Sequence, residues 1–223
     1  MSWKKKISFS SSETKGLKYT EYLYFASYDN KAGVKLGKAY FITGRPGVGK
    51  TTVLTKVIDE LKFKGVKVGG MITKESRTNG ERDGFIIYDL GSESKGWLAR
   101  KKLGHGPQIG KYYVCLNDLE SIGVNAILDA VATTDVVVID EVGPMELLSV
   151  RFCNAVLRAL DSNRLVLGTI HYRAAHPLIH SIRNKENAKI FEVTAINRCE
   201  LPNLIAKEIL KGLSENLGKM LYF

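Results

Sequence analysis

GRPGVGKT, from Gly44 to Thr51, combines three glycines, a lysine and a hydroxyl in the spacing G-x-x-x-x-G-K-[ST]. Each residue type has a reason to be there. Gly44, Gly47 and Gly49 let the backbone turn sharply and approach an anion. The N–H groups around Gly47–Thr51 point inward, and the helix start adds its positive end. Arg45, Pro46 and Val48 complete the candidate nucleotide-binding stretch. Lys50 reaches β- and γ-phosphates, the Thr51 hydroxyl joins a Mg²⁺ shell, and Thr52 extends the cradle by one residue. The pattern counts only between a strand and a helix, and AYFIT before it and TTVLTKVIDELKFKG after it supply both.

The second stretch is VVVIDEVGPMEL, Val136 to Leu147. Four apolar residues lead into two acids, and acids at the end of a buried strand are costly unless a cation meets them. Asp140 suits a Walker B aspartate that holds Mg²⁺ through water. Glu141 suits a base that orients or deprotonates a water in line with the γ-phosphate. A kinase would place its acceptor there and exclude water, so the Asp–Glu pair favours hydrolysis. Gly143 is a nucleotide-binding candidate together with these two acids. Glu146 has three open roles: capping the next helix, pairing with an arginine, or positioning the water. The Walker B strand is expected beside the strand that enters the phosphate loop. Further candidates are Thr169, at the end of LVLGTI, as a γ-phosphate sensor, and Arg77 and Arg82, in a loop, as charges supplied in cis. His171 reads equally well as a satisfied loop histidine.

Elements must position these groups. The periodicity predicts strands at AYFIT, VKVGGMIT, GKYYVCL, DVVVID, RLVLGTI and KIFEVT. GFIIYDL and GWLAR flank GSESK as a β-hairpin. Helices are expected at TTVLTKVIDELKFKG, at NDLESIGVNAILDAVA with an asparagine cap, at LLSVRFCNAVLRAL, at HPLIHSIR and at LPNLIAKEILKGL. Alternating strands and helices predict an α/β fold: a mostly parallel central sheet with helices on both faces and a small antiparallel hairpin. Nothing after Thr194 resembles the helical lid of a ring motor.

The 223 residues, 44% of them apolar, suffice for one large domain. No apolar run nears the roughly 20 residues of a membrane span, and no signal peptide is evident. Cys115, Cys153 and Cys199 are odd in number and far apart, so they read as buried thiols of a cytoplasmic protein. The net charge is +10, but residues 1–38, with eight lysines against three acids, carry half of it. That distribution argues against a nucleic-acid footprint over the body. Residues 1–35 lack helical or strand period and read as a poorly ordered extension to a single domain at 36–223. A second reading starts translation near Val34 or Leu36.

With these pieces placed, the chain resembles the archaeal and bacterial P-loop nucleoside-triphosphatases related to the human cancer-related nucleoside-triphosphatase. The likeness runs from about Lys38 to Leu204 through ITGRPGVGKTT, GGMITKESRTNGERDGFIIYDL, VVVIDEVGPMEL and INRCELP. It implies a compact RecA-like P-loop fold and slow, Mg²⁺-dependent hydrolysis of ATP, GTP, CTP and UTP to the diphosphate and phosphate. It also implies a monomer or weak homo-oligomer that works on nucleoside triphosphates without a membrane. Where the family pattern has Asn-Arg-Asp before its leucine–proline turn, this chain has Asn197, Arg198 and Cys199. That departure bears on how Arg198 meets the base or ribose. A nucleoside or nucleotide kinase of similar architecture is the alternative. A nucleotide-gated RNA-binding module, motivated by the basic leader and RKKLGHG, is the third reading.

Overall fold

The computed structural model describes residues 37–102 and 105–220, with side chains to residue 215. The expected extension at 1–35 lies outside the described residues. β1 (Ala39–Thr43) is buried along its whole length and feeds the phosphate loop. α1 (Lys50–Phe63) follows, burying Val53, Leu54, Val57, Ile58 and Leu61 on one stripe. It stops at Gly65, whose φ is 79°. Gly65 N–H donates to Lys62 O and Val66 N–H to Leu61 O, the paired bonds that close a helix through a left-handed residue.

Among the described residues nine strands form one sheet, in the order β5 (Gln108–Ile109), β6 (Tyr112–Val114), β4 (Lys95–Arg100), β3 (Glu81–Asp89), β2 (Val68–Thr78), β7 (Val136–Val142), β8 (Leu165–Ile170), β1, β9 (Ala188–Glu192). β2, β7, β8, β1 and β9 pair in parallel. α1 and α5 (Leu201–Met220) share a core with Tyr40, Ile42, Val136, Val138, Leu165 and Leu167. α2 (Asn125–Thr133) and α3 (Val150–Leu160) lie together on the other face. α4 (Pro177–Asn184) leads into β9. The expected α/β sheet with helices on both faces is therefore present.

Four details differ from expectation. The strand read as Walker B, β7, is not beside β1, because β8 is inserted between them. The segment read as a loop around Arg77 and Arg82 is a hairpin joining β2 to β3 (Glu81–Asp89). Its turn is Asn79–Gly80, with φ of 51° and 78°, the left-handed pair that matches strand twist. Together with β4 (Lys95–Arg100), β5 (Gln108–Ile109) and β6 (Tyr112–Val114), it makes an antiparallel wing larger than one hairpin. The helix expected to carry an asparagine cap enters instead from Cys115 with no side-chain cap. It passes through Leu116–Asp118 and a π-helical stretch, Leu119–Val124, into α2. Side-chain caps occur on α3, where Ser149 accepts from Phe152 N–H, and on α4, where His176 accepts from Leu178 N–H. Finally, only Cys153 of the three cysteines is buried. Cys115 is half-buried and Cys199 exposed, since Cys199 sits in the turn ahead of α5.

Candidate functional site

The parallel half of the sheet brings the two acids and the phosphate loop together. Gly44, Gly47 and Gly49 have φ of 149°, 77° and 107°, and nothing stands within 4 Å of where a Cβ would sit on Gly47 or Gly49. The loop is thus an open cradle, with Arg45, Pro46 and Gly47 exposed above it and Thr52 exposed at the first turn of α1. Gly44 is fastened at its base: a Cβ there would lie 2.7 Å from Val193 O.

Asp140 lies beneath this cradle, fully buried. The Thr51 hydroxyl donates to it at 3.2 Å and the Thr169 hydroxyl at 2.6 Å. Burial pushes the Asp140 carboxyl up to about 6; the Thr169 and Thr51 hydroxyls and the Thr73 N–H oppose that rise, and the neighbouring Glu141 charge adds to it. The insertion of β8 is what supplies Thr169 to this position. The expected neighbouring-strand threonine is therefore in the site, bonded to the aspartate.

Glu141 diverges from Asp140 because the β7–β8 register breaks between them. Ile139 faces Gly168 and Val142 faces Ile170, so Asp140 and Glu141 together oppose Thr169. Two residues against one is a bulge, which bends the strand and re-aims side chains. Asp140 turns into the core and Glu141 reaches Lys50, whose Nζ is 3.4 Å from its Oε2.

Glu146, at the head of a short 3₁₀ turn (Glu146–Leu148), is 4% exposed. A Cβ on Gly143 would lie 3.1 Å from both Glu141 Oε1 and Glu146 Oε2, so both carboxyls close over the same small space. Burial, then the Glu141 charge, pushes Glu146 up to about 8. Glu146 makes no ion pair with a described arginine. Ser149 is the cap of the following helix, so the first two roles considered for Glu146 are not those it occupies.

Arg77 and Arg82 stay apart from this cluster. Met71 faces Ile139, so Arg77 lies six residues further along β2, about 20 Å of strand. Arg77 donates to Glu75 and to Gly80 O, and Arg82 pairs with the same Glu75. Both are wing residues rather than loop cations over the phosphates. Asn197 is occupied in a turn: its Oδ1 accepts from Thr194 N–H at 2.8 Å and its Nδ2 donates to Glu192 O. Arg198 is exposed just beyond it. His171 Nδ1 accepts from Arg173 N–H, as a satisfied loop histidine would. Sequence reasoning missed Thr73, whose contribution is a backbone N–H to Asp140 and so has no side-chain signature.

The donor set suits a small hard cation. A buried carboxylate and a threonine hydroxyl offer oxygen only, and no described lysine or arginine pairs with Asp140. Among the described residues no group of three or more His, Cys, Asp or Glu forms a cage. That is the arrangement expected of a metal that arrives bound to phosphates and keeps its waters.

The chain is similar to known proteins along most of its length. The NTPase family model matches residues 39–206. The chain is 49% identical over 173 residues to nucleoside-triphosphatase THEP1 of Thermofilum pendens, spanning 77% of this chain and 95% of that one. It is 47% identical to the THEP1 of Methanosarcina acetivorans, over 77% and 97% of the two chains. Among solved structures, THEP1 of Aquifex aeolicus superposes with a TM-score of 0.68 at 32% identity, over 75% of this chain and 96% of that one. A human cancer-related nucleoside triphosphatase gives 0.65 at 37%, over 76% and 96%. The phosphate loop, the acids beneath it and these likenesses place the chain in the THEP1 family of nucleoside-triphosphatases, hydrolases that act on nucleoside triphosphates.

Proposed function

We propose that the chain hydrolyses ATP, GTP, CTP and UTP to the diphosphate and phosphate with Mg²⁺, in the cytoplasm, with Glu141 as general base. The observation that carries this reading is the Lys50–Glu141 pair beside Asp140 and Thr51. The cradle from Gly44 to Thr52 binds phosphates through backbone N–H groups and Lys50. Thr51 and Asp140 would hold Mg²⁺, which when bound offsets phosphate charge. In the nucleotide-free state Lys50 holds Glu141. A triphosphate competes for Lys50 with more negative charge and frees the Glu141 carboxylate to take a proton from water. Thr169 keeps Asp140 oriented meanwhile. Phosphate release from each of the four triphosphates, without an added acceptor, tests this reading. Radiolabelled γ-phosphate appearing mainly on an added nucleoside or monophosphate would overturn it in favour of a kinase.

Two smaller predictions follow from Gly143 and Glu146. Gly143→Ala drives a methyl against both carboxyls while its backbone φ stays in an ordinary region, so the fold is kept. Turnover should fall about 10- to 100-fold, because small misplacements of catalytic groups cost that much. Nucleotide affinity should hold, as equilibrium titration with a fluorescent analogue would show. Glu146→Gln addresses stability. The folded carboxyl titrates at about 8 against an ordinary 4.5, so the folded state keeps a proton that the unfolded chain releases. Its contribution to stability therefore declines as pH rises from about 4.5 to about 8 and then levels off. The glutamine variant lacks that decline. In chelator without nucleotide it should match wild type near pH 4.5 and exceed it by on the order of a few kcal/mol above pH 8. Urea melts across that range check it.

A further inference from the structure

The antiparallel wing has two unlike faces. On one, Ile87 is buried, and a Cβ on Gly96 would strike Ile122 of the π-helical stretch and Asp118 just ahead of it. Strand pairing puts a different set on the other face. Its cross-strand rows are Ile72–Tyr88–Lys95, Lys74–Ile86–Trp97 and Ser76–Gly84–Arg100–Tyr113. Side-chain contacts agree with those rows. The Trp97 ring lies over Gly84, where a Cβ would be 2.9 Å from it. The Arg100 guanidinium is 4.1 Å from the Trp97 ring centroid, and Lys74 Nζ is 5.2 Å from that of Tyr88.

This face alternates π-surfaces with cations. Lys74 and Lys95 are exposed and Trp97, Arg100 and Tyr113 half-buried, while Tyr88 is half-buried against the core that also takes in Ile72. None of Lys74, Lys95 and Arg100 forms an ion pair with a described carboxylate. At its margin Asp83 accepts from the Thr78 hydroxyl at 2.9 Å, and the Ser76 and Thr78 hydroxyls, with the Arg100 charge behind them, hold its carboxyl below the usual range. The described helical segment that packs on β3 and β4 does so from the opposite face. Planar rings and a guanidinium plane interleaved with cations that form no close pair with a described carboxylate fit a ligand that carries both π-faces and phosphates.

We propose that this face of the wing binds single-stranded nucleic acid. One base stacks on the Arg100–Trp97 pair and another near Tyr88, and Lys74 and Lys95 take phosphates. The site is separate from the triphosphate cradle, although β2 joins them: the Thr73 amide bonds Asp140 and Lys74 is the next residue.

The test uses the full chain, without nucleotide and with chelator, against labelled 20-mers of oligo(U), oligo(dT) and a mixed duplex. Saturable binding of either single strand at 0.15 M salt, tighter than of the duplex, is expected. Trp97→Ala and Arg100→Ala should each weaken it about 5- to 100-fold, the usual effect of losing one stacked base. Lys74→Ala with Lys95→Ala should reduce the salt slope by about 1.4, at about 0.7 per phosphate contact. ATP hydrolysis in these variants should equal wild type. Because Trp97 also packs on Gly84, circular dichroism accompanies its variant, and the exposed lysine pair decides the outcome if Trp97→Ala unfolds. The proposal is overturned by preference for duplex, or by no saturable binding. It is equally overturned if Lys4, Lys5 and Lys6 to Ala removes binding while the wing variants keep it.

Discussion

Glu141→Gln should lower the turnover of every triphosphate by roughly 10²- to 10⁴-fold, the range a positioned general base contributes. The glutamine keeps the size and hydrogen-bonding reach of the side chain but has no basic oxygen to accept the water's proton. Nucleotide affinity should not fall. Lys50, 10% exposed and 3.4 Å from Glu141 in the free protein, loses a competing anion in the variant and becomes freer to meet phosphate. The expected result is therefore a split: turnover lost, affinity equal or higher. Single-turnover phosphate release and equilibrium titration measure the two halves. Full turnover in the variant would show that another group handles the water. Equal losses in affinity and turnover would show that Glu141 serves binding instead.

The local part of this site was legible because its signals are short-range. Gly44 to Thr51 reads from spacing alone, and a run such as VVVI ending in two acids marks a buried strand whose tip needs a cation. What lay beyond the sequence was strand order. Nothing in DVVVID says that β8 separates it from β1, yet that insertion brings Thr169 onto Asp140. The bulge that parts Asp140 from Glu141 is a property of pairing with β8, so it too has no local signature. The wing is a different case. Asn79–Gly80 is a strong short-range hairpin signal, but the charges around it gave TKESRTNGERDGF the look of a loop. Reading it as a loop left Arg77 and Arg82 available over the phosphates, whereas pairing assigns both to Glu75. Composition likewise averaged over the aromatic and cationic rows of the wing, which exist only once β2, β3, β4 and β6 are side by side.

Asp140→Asn should move stability and activity in opposite directions. In the free protein the carboxyl is fully buried, no described cation pairs with it, and it titrates at about 6 against an ordinary 3.8. The raised value means that the folded state holds its proton longer than the unfolded chain does. Its contribution to stability therefore declines as pH rises from about 3.8 to about 6 and stays reduced above. Asparagine is neutral at every pH, and the Thr51 and Thr169 hydroxyls can rotate to suit its amide. Metal-free and nucleotide-free, the variant should be more stable than wild type at pH 7.5 by on the order of 1–3 kcal/mol, with no gain near pH 4. Hydrolysis should fall by about 10²-fold or more, since the oxygen set at the foot of the cradle loses its charge just where the phosphates need compensation. Protection by ligand supplies an independent check. Adding Mg²⁺ and a non-hydrolysable triphosphate should raise the melting temperature of wild type more than that of the variant, because stabilisation by a ligand grows with its affinity. A variant less stable at pH 7.5 would mean that the Asp140 charge is already compensated in the free protein. A carboxylate that weakens the empty fold and is retained for the loaded one fits a site whose missing positive charge arrives with the substrate.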